Sequence, residues 1–440
     1  PSPGAEPLAL SLQDALAIAL RNSPDLLASR DQIRLAQYQV RAQYVPYNPT
    51  FTLSAQGNPY QVLVPNVGQV TTLYTFQGTV QQLVFDFGRV HWNALSSRLS
   101  EKQARQNYRA TLEKLLQSIE TTYYTVALAD LNVDIARQRV GERRMSLKVA
   151  NDLYKAGFVA QYDVLQYQTQ LGQALQDLLT SQGSAEKARE NLVVALGLPP
   201  GTPIQLTAQT EPEAPPSDGK QGMEQALVKR PEVAALTWAI RATEAQIQAA
   251  ARLNSPSLYL MGQYTGTSSP FGPHFGTFTY STFVPSLTLT IPVLDGRYAH
   301  WQRMQVEATL SQTQHQLASV RRSVEQDVIQ AHTDLGTYWQ QIGLARATAA
   351  QAKEAYGIAM VRYREGFSNS IELLNAQDAF VQANQLLATA YYNYRVAQVN
   401  WRRAISAEYP LQLPESVRVD WEQPAPILTP PTLPATDAVI

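Results

Sequence analysis

The sequence predicts a mixed α and transmembrane-β architecture. In it, a β-barrel shared between several copies of the chain continues into a long α-helical coiled-coil barrel. Three observations carry this prediction: an internal duplication, a pair of strand-length segments in each half, and one very long proline-free helix in each half. Pro24 through Gln56 aligns without a gap on Pro231 through Gln263, at a constant offset of 231 − 24 = 207. Pro24/Pro231, Ile33/Ile240, Arg34/Arg241, Gln39/Gln246, Pro49/Pro256 and Gln56/Gln263 are identical pairs. Further on the offset becomes 300 − 91 = 209, where His91-Trp92 meets His300-Trp301. At the same offset Tyr154-Lys-Ala-Gly-Phe158 meets Tyr363-Arg-Glu-Gly-Phe367.

Each half reads helix, two strands, very long helix, turn, helix. The first repeat is placed at 1–210, the second at 211–410, and a Pro-rich tail at 411–440. Ser11 caps a helix containing Leu12, Leu16, Ala19 and Leu20. Pro24 restarts the helix, because proline is tolerated in a first helical turn, and the helix stops before Pro46 and Pro49. Phe51, Leu53 and Ala55 then alternate with Thr50, Thr52, Ser54 and Gln56, as in a strand with one apolar face. Strands are predicted over about 50–56 and 72–84, with Gly57-Asn58-Pro59 and Pro65-Asn66 marking a loop between them. The second half repeats this at about 257–264 and 277–291, around a Gly/Pro/Ser loop from Thr265 to Gly276, with Pro285 and Pro292 interrupting the last strand. Segments of about 8 to 12 residues suffice for one tilted bilayer crossing.

The long helices are predicted over about 89–155 and 297–364, opened by Gly88-Arg89 and Gly296-Arg297. At 1.5 Å per residue each spans roughly 100 Å, far beyond an ordinary globular helix. Leu335, Tyr338, Ile342, Ala345, Ala349, Ala352, Tyr356, Ala359 and Tyr363 alternate steps of three and four, a coiled-coil seam. Returning helices follow at about 162–196 and 370–406, with Leu373, Phe380, Leu387, Tyr394 and Trp401 at every seventh position. Leu198 to Gly222 joins the halves and is Pro-rich, with a short strand expected at Ile204-Gln205-Leu206.

Composition narrows the function. A net charge of −1 with 16% charged residues gives no electrostatic reason to expect nucleic acid. The absence of cysteine removes disulfides and thiolate metal sites. No window of about 18 apolar residues predicts a transmembrane helix, but β-barrels carry a weaker signal. The N-terminus lacks a signal-peptide pattern, so any such segment is taken as already removed, and with no N-terminal cysteine lipid anchoring is not expected. Phosphate loops, dinucleotide fingerprints and nucleophile elbows are missing, and no cofactor is expected. Of the five histidines, His91, His274, His300, His315 and His332, the pair His91 and His300 are repeat-equivalents beside tryptophans and read as junction packing, and His315 has no His or carboxylate partner at a metal-motif spacing. The chain reads as a non-enzyme.

Two hairpins cannot close a barrel, and open strand edges facing lipid would leave costly unpaired N–H and C=O groups. Two chains would supply eight strands and three would supply twelve, so a cyclic homo-oligomer is expected. The duplicated units, the opening SLQDALAIALRNSPDL and the turn sequences YKAGFVAQYDVL and YREGFSNSIELLNA resemble the TolC family of outer membrane efflux proteins, from about Leu12 to about Ser406. The resemblance implies a homotrimer in the outer membrane: a twelve-stranded barrel, four strands per chain, with a periplasmic helical tunnel. It also implies the role of exit duct in a tripartite efflux or type I secretion system, docked to a periplasmic adaptor protein and an inner-membrane pump. The rival readings are a pore-forming toxin with membrane-inserting hairpins and a coiled-coil scaffold.

The same resemblance assigns site residues. The tips at Gly157-Phe158 and Gly366-Phe367 would receive the adaptor. Glu372 would line the aperture, with Asn375 where the family's pattern has an aspartate. Asp163 and Tyr363 would lock the entrance by hydrogen bonding, with Ser368 in the position of the family's basic partner. Phe51, Tyr60, Tyr74, Phe76, Phe271, Phe275, Phe278, Tyr280 and Phe283 are candidates for aromatic girdles at the lipid interfaces.

Overall fold

A computed structural model describes residues 8–64, 67–207, 211–215, 219–268, 280–407 and 409. In chain order the elements are β1 (Leu8–Leu10), α1 (Leu12–Asn22), α2 (Pro24–Ala42), β2 (Thr50–Val64), β3 (Val67–Phe85), α3 (Arg89–Lys155) and α4 (Gln161–Ala195). Then follow β4 (Ile204–Leu206), α5 (Gly219–Lys229), α6 (Pro231–Ala250), β5 (Ser257–Ser268), β6 (Tyr280–Thr290), α7 (Tyr298–Arg364) and α8 (Ser370–Ala404). Two compact units form. Among the described residues, one is built on 8–30, Asn107–Val233 and 319–407; the other is built on Asp31–Gln106 and Ala234–Ala318.

The second unit holds a four-stranded antiparallel sheet in the order β2-β3-β5-β6. Registers such as Phe51↔Val80, Val80↔Gly262 and Gly262↔Pro285 fix which residues share a face. One face carries Phe51, Leu53, Tyr74, Phe76, Val80, Leu260, Tyr264, Phe283, Leu287 and Leu289, all exposed. The opposite face is mostly polar, carrying Thr52, Ser54, Gln77, Thr79, Gln81, Gln263, Thr265, Thr282, Ser286 and Thr288, with Tyr259, Met261 and Val284 among them. A soluble sheet hides its apolar face; this one displays it. Aromatic rings cover strand glycines on the apolar side: a Cβ on Gly78 would meet Phe51 at 3.6 Å, and one on Gly262 would meet Phe283 at 3.5 Å.

The strands differ from the sequence expectation. β2 and β3 run to a Val64↔Val67 pair, straight through Gly57-Asn58-Pro59, which the sequence marks as a loop. β5 likewise continues through Ser268, past the expected end at 264. Pro59 and Pro285 do not break their strands because β2 and β6 are the outer strands of this chain's own sheet, so the missing N–H costs no ladder bond within the protomer. β3 and β5, paired on both sides, contain no proline. Residues 277–279 of the expected fourth strand, Phe271, Phe275, Phe278 and His274 lie outside the described residues, as do the side chains of Tyr60 and Tyr280 and the tail 411–440.

Both long helices start from the same device. Asp86 accepts from Gly88 N at 3.2 Å and Val90 N at 2.7 Å; Asp295, at 86 + 209, accepts from Arg297 N at 2.9 Å and Ala299 N at 2.8 Å. Two successive residues are left-handed at each start, Phe87 (φ 54°) with Gly88 (φ 85°), and Gly296 (φ 63°) with Arg297 (φ 67°). The repeats thus place their glycine at different members of the same pair. Just inside each helix start, the His91–Trp92 and His300–Trp301 rings sit edge-on, centroids 5.9 and 5.1 Å apart.

The first unit is helical. Ser11 and Asp14 form a capping box on α1, and β1 pairs in parallel with β4, a partner for the expected strand at 204–206 that the sequence does not announce. Helix α5 begins at Gly219, inside the Pro-rich stretch that joins the halves. Polar contacts link α3 to α4 (Arg139–Asp177, 2.7 Å), α3 to α8 (Gln117–Asn400, 2.8 Å) and α8 to α7 (Arg346–Tyr391, 2.6 Å). Every expected seam residue of α7 between Leu335 and Tyr363 is buried or half-buried, as are Leu373, Phe380, Leu387, Tyr394 and Trp401 on α8. No helix among the described residues is long and apolar enough to cross a membrane.

Candidate functional site: the paired helical tips

Helices α3 and α7 end in the same way. Gly157 N bonds Tyr154 O at 3.0 Å and Phe158 N bonds Leu153 O at 2.9 Å; Gly366 N bonds Tyr363 O at 3.1 Å and Phe367 N bonds Arg362 O at 2.8 Å. These crossed bonds define Schellman terminations, which need a left-handed residue after the helix. Gly157 and Gly366 supply it at φ 80° and 79°. The phenylalanine that follows usually folds back on the helix in such a motif. Here Phe158 is 79% exposed and Phe367 77% exposed, so two large rings stand in solvent at adjoining tips.

The tips are held together by an apolar cluster of Ala150, Val164, Tyr167, Ala359, Tyr363, Leu373 and Leu374, drawn from α3, α4, α7 and α8. The polar groups around it begin the two returning helices. Asp163, third residue of α4, accepts from Ala160 N at 3.3 Å. Its repeat-equivalent, Glu372 at 163 + 209, is third in α8, where its own N–H donates to Asn369 Oδ1 at 2.9 Å. A carboxylate at a helix N-terminus is stabilised by the unpaired N–H groups there.

The expected Asp163–Tyr363 hydrogen bond does not form within the protomer. Ser370 Oγ donates to Asp163 Oδ1 at 2.8 Å instead, joining the two repeats at their tips. Tyr363 is buried in the apolar cluster with its ring 6.0 Å from that of Tyr167, and its hydroxyl has no well-formed partner among the described residues. Burial pushes the Tyr363 hydroxyl above its ordinary pKa; the Tyr167 hydroxyl offsets part of that shift, and the Asp163 charge adds to it. Glu372 is partnered as well. Arg362 Nη1 lies 3.0 Å from Glu372 Oε1, and Ser368 Oγ donates to Oε2 at 2.7 Å. Ser368, in the position of the family's basic partner, thus bonds Glu372, whose charge partner is Arg362, a residue the sequence did not single out. Asn375 is exposed on α8 one turn beyond Glu372.

Behind the tips a buried polar bracket locks α3 to α8. Arg143, 1% exposed at its side chain, donates to Gln377 Oε1 at 2.6 Å and to Asp378 Oδ1 at 2.5 Å. Gln377 in turn donates to Ser146 Oγ at 2.7 Å. Arg139 extends the network to Asp177 on α4.

Comparison with known proteins agrees with this architecture. The outer membrane efflux protein family model matches residues 15–198 and 222–407, one match per repeat. Protein CyaE of Bordetella pertussis is 26% identical over 383 residues, covering 86% of this chain and 80% of the relative. Among solved structures, CusC superposes with a TM-score of 0.78 at 18% identity, covering 92% of this chain and 95% of that one. The CmeC outer membrane channel of Campylobacter jejuni gives a TM-score of 0.77 at 17% identity, covering 90% of this chain and 85% of that one.

Proposed function

The chain belongs to the outer membrane efflux protein family, and on that premise we propose that it is the outer-membrane exit duct of a tripartite efflux or type I secretion system. Three copies complete it. The observation that supports this reading is the sheet, with an apolar face, a largely polar face and two edges that find no partner among the described residues of their own chain. Lipid tolerates β-structure only when every edge is paired, so copies must join β6 of one to β2 of the next. Three four-stranded sheets give a twelve-stranded cylinder with Thr, Ser and Gln facing water inside and Phe, Leu and Val facing lipid. Conduction is passive, and direction comes from the inner-membrane pump.

The tips form the periplasmic entrance. The exposed Phe158 and Phe367 rings offer apolar contacts to the adaptor, and Gly157 and Gly366 set the turns that present them. Asp163, Tyr363 and Ser368 hold the tips closed, with the Ser370–Asp163 bond as the polar contact between repeats and Tyr363 as apolar filling. Glu372 and Asn375 border the mouth.

Purification in detergent followed by mass measurement and planar-bilayer recording tests the reading. A stable trimer with discrete conductance is expected, and Asp163→Ala should raise its resting conductance. A monodisperse monomer in plain buffer that leaves bilayers silent would overturn it.

A further inference from the structure

We propose that Arg362 sets the ion selectivity of the mouth by neutralising Glu372 within each protomer, so that the duct admits anionic and cationic solutes with little preference. The proposal rests on the duct reading and on the placement of Glu372 at the mouth. A ring of three unpaired carboxylates would attract cations and repel anions. That field does not arise here, because a guanidinium stands 3.0 Å from the carboxylate in each protomer. At such separation the pair acts on a passing solute as a dipole, whose field falls off faster than that of a single charge. Screening over about 10 Å at 0.1 M salt removes most of the remainder.

The surrounding residues agree. Positions 361–375 carry Arg362, Arg364, Glu365 and Glu372, so the second tip sums to 2 − 2 = 0. The next position along the α8 face, Asn375, is uncharged. Both partners are about half exposed, at 52% and 44% of their side chains, so the pair adds little to stability and is free to act on solutes. Ser368 Oγ holds the second carboxylate oxygen at 2.7 Å and Asn369 caps the helix start beneath it, so Glu372 keeps its position when the arginine is removed. Arg362 is thus a selectivity residue rather than a fold residue.

Reversal potentials in a KCl gradient across planar bilayers test this on the full-length trimer. Arg362→Gln should raise the K+/Cl− permeability ratio at least about threefold, by leaving three bare carboxylates at the constriction. Glu372→Gln should shift it toward chloride. The double variant Arg362→Gln/Glu372→Gln should return close to the wild-type ratio, and Arg362→Lys should keep it. An Arg362→Gln channel that conducts normally with an unchanged ratio overturns the proposal while leaving the duct reading intact. A wild-type protein without conductance overturns the duct reading, and the proposal with it.

Discussion

Gly157 and Gly366 have open space within 4 Å of where a Cβ would stand, so their requirement is purely conformational. An L-residue held in the left-handed region costs about 1–2 kcal/mol. Gly366→Ala should therefore loosen the tip by about that amount without creating a clash. Hydrogen exchange at the Phe367 amide is the measurement, with roughly a tenfold acceleration expected. An unchanged rate would show that the crossed bonds do not hold the turn. Part of the tip was legible from sequence, since a glycine repeated at the end of both long helices signals a termination. The ion pair was not. Arg362 and Glu372 lie ten residues apart on opposite sides of a reversal, and only the folded turn brings them within 3.0 Å. Ser370–Asp163 joins residues 207 apart, a pairing that no local pattern announces. Tyr363 shows another limit: its hydroxyl suggests a hydrogen bond in the sequence, while only the fold shows its ring within the apolar cluster.

At the scale of elements, alternation within the strands was readable because Phe51, Leu53 and Ala55 keep strict period two. Their length was not. Gly57-Asn58-Pro59 reads as a turn in isolation, and it stays extended only because an edge strand tolerates it. The two sheet faces make opposite predictions for neighbouring positions. Leu53→Arg places a charge on the apolar face and should destabilise the membrane-embedded form by about 2–4 kcal/mol if near the bilayer midplane. Ser54→Arg, on the polar face, should leave trimer stability near wild type. Heat-modifiability on gels compares the two, and equal loss in both would contradict the face assignment. The long helices were the most legible elements, since nothing within 89–155 or 298–364 can stop them.

For the whole molecule, duplication was plain in the sequence, whereas the weight of one difference between repeats emerged only on folding: Arg143 builds a buried bracket that has no counterpart at Ala352, its position plus 209. Burial also sets the pH response of the helical unit. It pushes the carboxyls of Glu113, Glu120, Asp130 and Glu142 up, in the first three against their arginine partners Arg109, Arg402 and Arg189. A carboxyl whose folded pKa exceeds its unfolded one binds more protons in the fold, so its burden on stability lifts as pH falls through the raised value toward the ordinary carboxylate range. Apparent Tm in detergent should rise as the pH is lowered from neutral toward the ordinary carboxylate range, and Glu142→Gln should flatten that rise; a fall in both proteins would refute the sign. The prolines at Pro59 and Pro285 have one more consequence, for a copy that has not yet met its siblings. Each punches a gap in the row of donors along an outer margin, so a stray extended peptide cannot zip along that margin unbroken. Only a neighbour whose own spacing accommodates the gaps seals the seam fully, which guards newly exported copies against runaway fibrillar growth and keys them to their own kind.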